Sequence, residues 1–284
     1  MQILSGSPMT DIHIHQICYS RETFNSCESD FEPLDNLDNP RPDWREYWPI
    51  RKFLMFTQLQ EDTCYGFFSP KFGAKTGLDA AQVLEFVAKH AADSDVILFS
   101  PFYDQMAYPL NVFEQGALQH AHTLATFREC VQLVSPDVDF DRLVMDSTNT
   151  VFCNYFVAKP AFWRAWLAKC EQLFAIAEAG STDLAGRLNA ATNHDGGGVP
   201  TKVFVIERLA SLMLATERRW TACAFNPMGL PWSQSPLSRF RLEMAFLDSL
   251  KIAYATEGRP QYLAAFHELR QILNESLQPQ PQPQ

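Results

Sequence analysis

The residues best suited to chemistry lie in five places along the chain. In "DIHIHQICYS", residues 11–20, His13 and His15 are two apart. On a strand that spacing puts both imidazoles on one face, within reach of one ion. Glu207 and Arg208 interrupt "VFVIERLASLMLA", which is otherwise apolar all round. A carboxylate held there either forms an ion pair or has a raised pKa suited to proton transfer. Lys71 and Lys75, four apart in "SPKFGAKTG", can bind a diphosphate as point charges. Asp104 follows the apolar run 95–100 and offers an oxygen ligand to a divalent ion bridging phosphates. Asn154 lies in "VFCNYFVAK", where a buried amide needs hydrogen-bond partners.

Each has a plainer reading. A barrel-shaped metallohydrolase needs further ligands at later strand ends. His90, His120, His122, His194 and His267 do not occupy such places, so His13 and His15 read as a polar strand face. The metal-dependent hydrolase is kept as an alternative. Glu207 is a general base or half of a structural ion pair. Taken alone, Lys71 and Lys75 read as surface lysines, and Asn154 as a residue bonding neighbouring backbone. No Gly-x-Ser-x-Gly elbow, P-loop or Gly-x-Gly-x-x-Gly is present.

The elements that must hold these residues alternate between strand and helix. Strands are expected at 11–19, 63–69, 95–100, 148–159 and 220–225. Helices are expected from near Pro49, over 78–92, through most of 111–134, from Pro160, over 201–217, and at about 237–256 and 259–276. The stretch "NSCESDFEPLDNLDNPRPDW" reads as a long loop, as do "PKFGAKTG" and "NHDGGGVP". This order predicts an α/β open sheet with helices on both faces and a helical C-terminal region. One domain is expected over 1–276, followed by a disordered Gln/Pro tail at 277–284.

Composition narrows the function classes. The chain of 284 residues carries a net charge of −10, which argues against nucleic acid as a partner. Seven scattered cysteines, odd in number and without Cys-x-x-Cys, fit neither a disulfide framework nor a zinc ribbon. No basic-then-apolar leader opens the sequence, and no uncharged apolar run is long enough for a transmembrane segment. A cytoplasmic protein is expected.

The segments "WREYWPIRKFL", "DTCYGFFSPKFGAKTG", "DVILFSPF", "TNTVFCNYFVAKPAFWRAWL" and "KVFVIERLASLML" resemble, in the same order, those of small bacterial glycosyltransferases. Those enzymes belong to capsule and lipopolysaccharide biosynthesis and have the nucleotide-diphospho-sugar, GT-A-like fold. The similarity spans about residues 11–225. It implies a site at the strand ends lined by 19–21, 69–75, 100–104 and 154. Tyr19, Arg21, Lys71, Lys75, Asn154 and Arg208 would then bind a nucleotide-sugar donor. Glu207 would be the general base toward a glycan or lipid-linked glycan acceptor, at the inner face of the membrane. The family's Asp-x-Asp is replaced by "SPFYD". Either Asp104 alone holds Mn or Mg on the donor, or Arg21, Lys71 and Lys75 neutralise the diphosphate. A third reading is a GT-like protein that binds sugar without turnover.

Overall fold

The computed structural model describes residues 11–120, 122–194 and 197–277. Six strands form a mixed sheet: β1 (Asp11–Cys18), β2 (Glu32–Asp35), β3 (Thr63–Phe68), β4 (Val96–Leu98), β5 (Phe156–Ala158) and β8 (Ala222–Ala224). Their order is β2-β1-β3-β5-β4-β8. The pairs β1–β2, β1–β3 and β4–β8 are parallel; β5 runs antiparallel to both its neighbours. A separate hairpin joins β6 (Ala191–His194) to β7 (Gly197–Pro200), and its tip, 195–196, lies outside the described residues.

Both faces of the central strands are covered, which explains why all six residues of β3 are buried. On one face Tyr65, Phe67, Val96, Leu98 and Phe156 join a core with Trp163 and Trp166. These tryptophans lie on α8 (Pro160–Ala179), where Pro160 takes the tolerated first turn. α2 (Tyr47–Phe56), α6 (Val112–Gln119), α7 (Leu124–Val134), α9 (Asp183–Asn189) and α10 (Thr201–Thr216) complete this layer. On the other face Cys64, Phe68, Ile97, Phe99 and Val157 pack against α4 (Ala80–His90), which starts in a capping box from Asp79 and Gln82. α5 (Tyr103–Ala107), α11 (Arg241–Glu257) and α12 (Pro260–Leu277) form a third apolar cluster. No described helix is long and apolar enough to cross a membrane.

Several local expectations are corrected. The loop expected before residue 44 contains β2, an edge strand whose residues are mostly exposed and include Pro33. "PKFGAKTG" forms a short helix, α3 (Phe72–Thr76), ended by Gly77 in the left-handed conformation. The long strand expected over 148–159 shrinks to β5, because Cys153 and Asn154 are both left-handed, at φ of 58° and 54°. Residues 278–284 lie outside the described set, and Leu277 belongs to α12 rather than to the tail.

Candidate functional site

A cleft of about 970 Å³ opens where the carboxyl ends of β1, β3 and β4 give way to loops. This is the usual place for a ligand in an open α/β sheet. After β1 comes Tyr19; after β3 come Ser69, Lys71 and Lys75. Phe102 and Gln105 follow β4, while Glu207 and Arg208 enter from α10. Arg45 and Glu46 arrive just before α2. Backbone strain is concentrated here. Of five described non-glycine residues with positive φ, Asn39, Arg45, Phe102 and Cys153 line this cleft.

The short segment carrying Arg45 is fixed from beneath. Buried Lys202 donates to Asp43 Oδ2 at 2.6 Å and Asn189 Oδ1 at 2.8 Å, below the Trp44 ring. Arg41 bonds both Asp43 and Glu178, and Trp44 Nε1 donates to Glu178. Hydrogen bonding from Arg41, with help from Lys202, holds Asp43 at about 2. Asp43 therefore stays ionised throughout the neutral range against the Arg41 guanidinium, and the wall bearing Arg45 and Glu46 is anchored to α8 and α10.

Glu207 is half-buried and, among the described residues, its carboxylate has no hydrogen bond or ion pair. Burial, then the negative charge of Glu46, push it up to about 7, against the pull of Arg208 and Lys75. Lys75 Nζ donates to Cys153 Sγ at 3.1 Å. Burial would lower the Lys75 pKa, but Cys153, Glu207 and Glu46 together raise it, so the ammonium stays charged. Lys71 and Arg45 are exposed at the rim and, among the described residues, form no ion pair. The cleft thus holds three cations available to an anion and one carboxyl poised to exchange a proton at neutral pH.

Comparison with protein-family profiles, with curated proteins and with solved structures returns no match.

Of the residues expected at the site, Tyr19, Lys71, Lys75, Glu207 and Arg208 line the cleft. Arg208, however, is committed to structure. Its guanidinium donates to Val112 O at 2.8 Å, Phe204 O at 2.7 Å and Gln115 Oε1 at 2.9 Å, and burial draws its pKa down to about 10. These bonds tie α10 to α6 and so orient its neighbour Glu207. Arg21 is exposed on α1 (Arg21–Asn25) and does not reach the cleft. Asn154 is buried next to Cys153 in the chain, does not line the cleft, and among the described residues leaves Oδ1 without a hydrogen-bond partner.

Asp104 is the largest correction. It is fully buried and accepts hydrogen bonds from Ser233 N (2.9 Å), Ser235 Oγ (2.9 Å), Gln105 Nε2 (3.1 Å) and the Ser233 hydroxyl. Four donors occupy its oxygens, so it does not fit the part of a ligand for Mn or Mg on a donor diphosphate. Among the described residues no three His, Cys, Asp or Glu side chains are gathered for a metal.

His13 and His15 do share a strand face, as their spacing required, but that face is covered at His15 and only half-exposed at His13. His15 stacks on Phe67 and meets Phe53 of α2, and both histidines turn Nδ1 toward Glu32 of β2. Burial brings the His15 imidazole down to about 4, which leaves it neutral at physiological pH.

Arg45, Glu46, Gln119 and the serines at 233 and 235 are site residues that sequence reasoning missed. Gly116 is a further one, acting through Arg208. A Cβ there would lie 2.6 Å from Arg208 Nη2 and 2.8 Å from the Phe127 ring. The guanidinium is held at three points and cannot retreat freely. Gly116→Ala is therefore expected to cost about 1–3 kcal/mol of stability, measured by urea unfolding. A variant as stable as the parent would mean that α6 can move away from α10.

Proposed function

We propose that the protein is a glycosyltransferase that moves a sugar from a nucleotide-diphosphate donor to a hydroxyl of a glycan acceptor, on a GT-A-like sheet. One observation carries this reading. A single cleft at parallel strand ends combines three cations, Arg45, Lys71 and Lys75, with a half-buried carboxyl whose pKa stands near 7. Sugar transfer asks for those two things. Negative charge develops on the departing diphosphate, and the attacking hydroxyl must lose its proton. Lys71, Lys75 and Arg45 meet the first need as fixed positive charge. Glu207 meets the second by accepting the hydroxyl proton on its carboxylate, with Arg208 and Gln115 holding the helix that presents it. The volume fits a nucleotide sugar with part of an acceptor, since ligand pockets typically measure about 300–1,000 Å³.

The placement of the lysines just after β3, the Glu-Arg pair and the order of the resembling segments support the same reading. No step is assigned to a metal ion, because Asp104 faces inward. The polysaccharide or lipopolysaccharide pathway and a location at the inner membrane face are proposals that follow from the resemblance alone.

Thermal unfolding in the presence of uridine, guanosine, cytidine and adenosine diphosphates and their sugar conjugates tests the donor assignment. A rise of several degrees with one base, larger for the diphosphate than for the monophosphate, is expected. Indifference to the whole panel, with and without manganese, would refute it.

A further inference from the structure

The cleft lining changes character between α5, α6 and residues 233–235. There the described lining residues Gln105, Gln119, Ser233, Gln234 and Ser235 supply polar groups, none of them charged. This stretch is built on Asp104. The buried carboxylate draws in the hydroxyl protons of Ser233 and Ser235, whose oxygens in turn lie 3.2 Å from Gln105 Nε2. Gln119 Nε2 then donates to Gln105 Oε1 at 3.3 Å. Ser233 and Ser235 are used up inside the network, and so is most of Gln105. What remains for a ligand is the outer half of the Gln119 carboxamide and the whole of Gln234, which has no partner among the described residues.

A primary amide offers one acceptor and one donor side by side, which matches a sugar hydroxyl, itself both donor and acceptor. It gives a phosphate or carboxylate no countercharge. Beside the amides stands Phe102, half-buried at the cleft, with φ of 66° and its N–H fixed to Pro231 O at 2.9 Å. A phenylalanine held in the left-handed region is a costly arrangement. Phe102 lines the cavity, and an aromatic side chain there gives the C–H face of a pyranose a surface on which to stack.

We propose that this wall is a saccharide subsite for an uncharged sugar ring. Phe102 stacks on the ring, Gln119 and Gln234 bind its hydroxyls, and Asp104 is the positioning residue that holds the wall in place. As the acceptor subsite it rests on the transferase reading; as a binding site for neutral sugar it does not. The acceptor would then end in a neutral hexose or N-acetylhexosamine, not in a uronic acid or a phosphorylated sugar.

The test is a ligand-observed NMR titration of the full chain with the methyl glycosides of glucose, galactose, mannose and N-acetylglucosamine, and with methyl glucuronide. The nucleoside diphosphate panel is run on the same samples. At least one neutral glycoside should bind, more tightly than the glucuronide. Phe102→Ala and Gln119→Ala should each weaken it about 5- to 10-fold or more, as loss of one ring contact or one hydrogen-bonding group does. Asp104→Asn should weaken the glycoside by a similar factor while any nucleotide shift stays as in the parent, a split that general destabilisation would not produce. Should Asp104→Asn fail to fold, the two rim variants carry the test. The proposal is overturned if no glycoside binds, if both rim variants bind at parental affinity, or if the glucuronide binds best. Glycoside binding without any nucleotide binding would sink the transferase reading and leave the subsite standing. Nucleotide binding without glycoside binding would do the reverse.

Discussion

Glu207→Gln is expected to lower the turnover of sugar transfer by roughly 10²- to 10⁴-fold, the range a positioned general base contributes, with little change in donor affinity. The substitution keeps the shape of the side chain and removes only its capacity to take a proton. Release of nucleoside diphosphate from the donor that the binding panel identifies is the measurement. The pH dependence carries the same signature. Glu207 titrates at about 7, so the active, ionised form accumulates as pH rises through that value. Parental turnover should climb between pH 6 and 8 and level off above, whereas the variant's residual rate should be flat. A protein that merely binds sugar shows no such dependence, and full activity in Glu207→Gln would remove the residue from the mechanism.

The raised pKa also has a stability consequence of definite sign. An unfolded glutamate titrates near 4.5 and the folded one near 7, so between those values the folded state binds more protons. Stability contributed by the protonated group is fully present below the unfolded pKa and is lost as pH rises through the folded one. Above pH 7 an ionised Glu207 thus costs stability, about 1–3 kcal/mol once partial exposure is allowed for. Glu207→Gln should raise the midpoint of thermal unfolding at pH 8 and leave it nearly unchanged at pH 4. Loss of activity coupled to a gain in stability at alkaline pH distinguishes a functional carboxyl from a structural ion pair, whose removal would destabilise.

What could be read from the sequence was what depends on neighbours in the chain. Glu207 stood out because a charge in "VFVIERLASLMLA" has few innocuous explanations, and Lys71 and Lys75 because a loop after a buried strand is a place for ligands. Strands β1 and β3, the Pro160 helix and the paired C-terminal helices follow from periodicity and keep their expected places. Contacts across the chain were not legible. Asp104 looked like a free carboxylate at a strand end, because its partners Ser233 and Ser235 lie far along the chain. Arg208 looked available because Val112 O and Gln115 reach it only through the packing of α6 on α10. The left-handed pair Cys153-Asn154 broke the strand that an aromatic run had promised. An asparagine inside such a run was the available signal, since Asn tolerates that conformation better than its neighbours. For Phe102 there was no signal at all, since phenylalanine is seldom left-handed.

Replacing both Lys71 and Lys75 by Met is expected to weaken a nucleoside diphosphate about 10²-fold, roughly tenfold for each charge removed beside the diphosphate. The parent's affinity should fall as salt is added, and the double variant's should hardly respond. Lys→Arg at either position should retain most of the binding, since the charge survives. The single variants then separate two roles by pH. Lys75 lies close enough to Glu207 to lower its pKa, and Lys71 is not among the groups that shift it. Lys75→Met should therefore move the midpoint of the pH–rate profile above 7, whereas Lys71→Met should weaken donor binding and leave the midpoint in place. Glu46→Gln should move it the opposite way, because the Glu46 charge is what burial enlists to hold the proton on Glu207. Opposite displacements from Lys75 and Glu46 would mean that the cations and the base work in one electrostatic field, in which binding the diphosphate itself raises the Glu207 pKa by cancelling the lysine charge. Identical midpoints in all three variants would place donor charge and proton transfer in separate sites, and the cleft would no longer account for both.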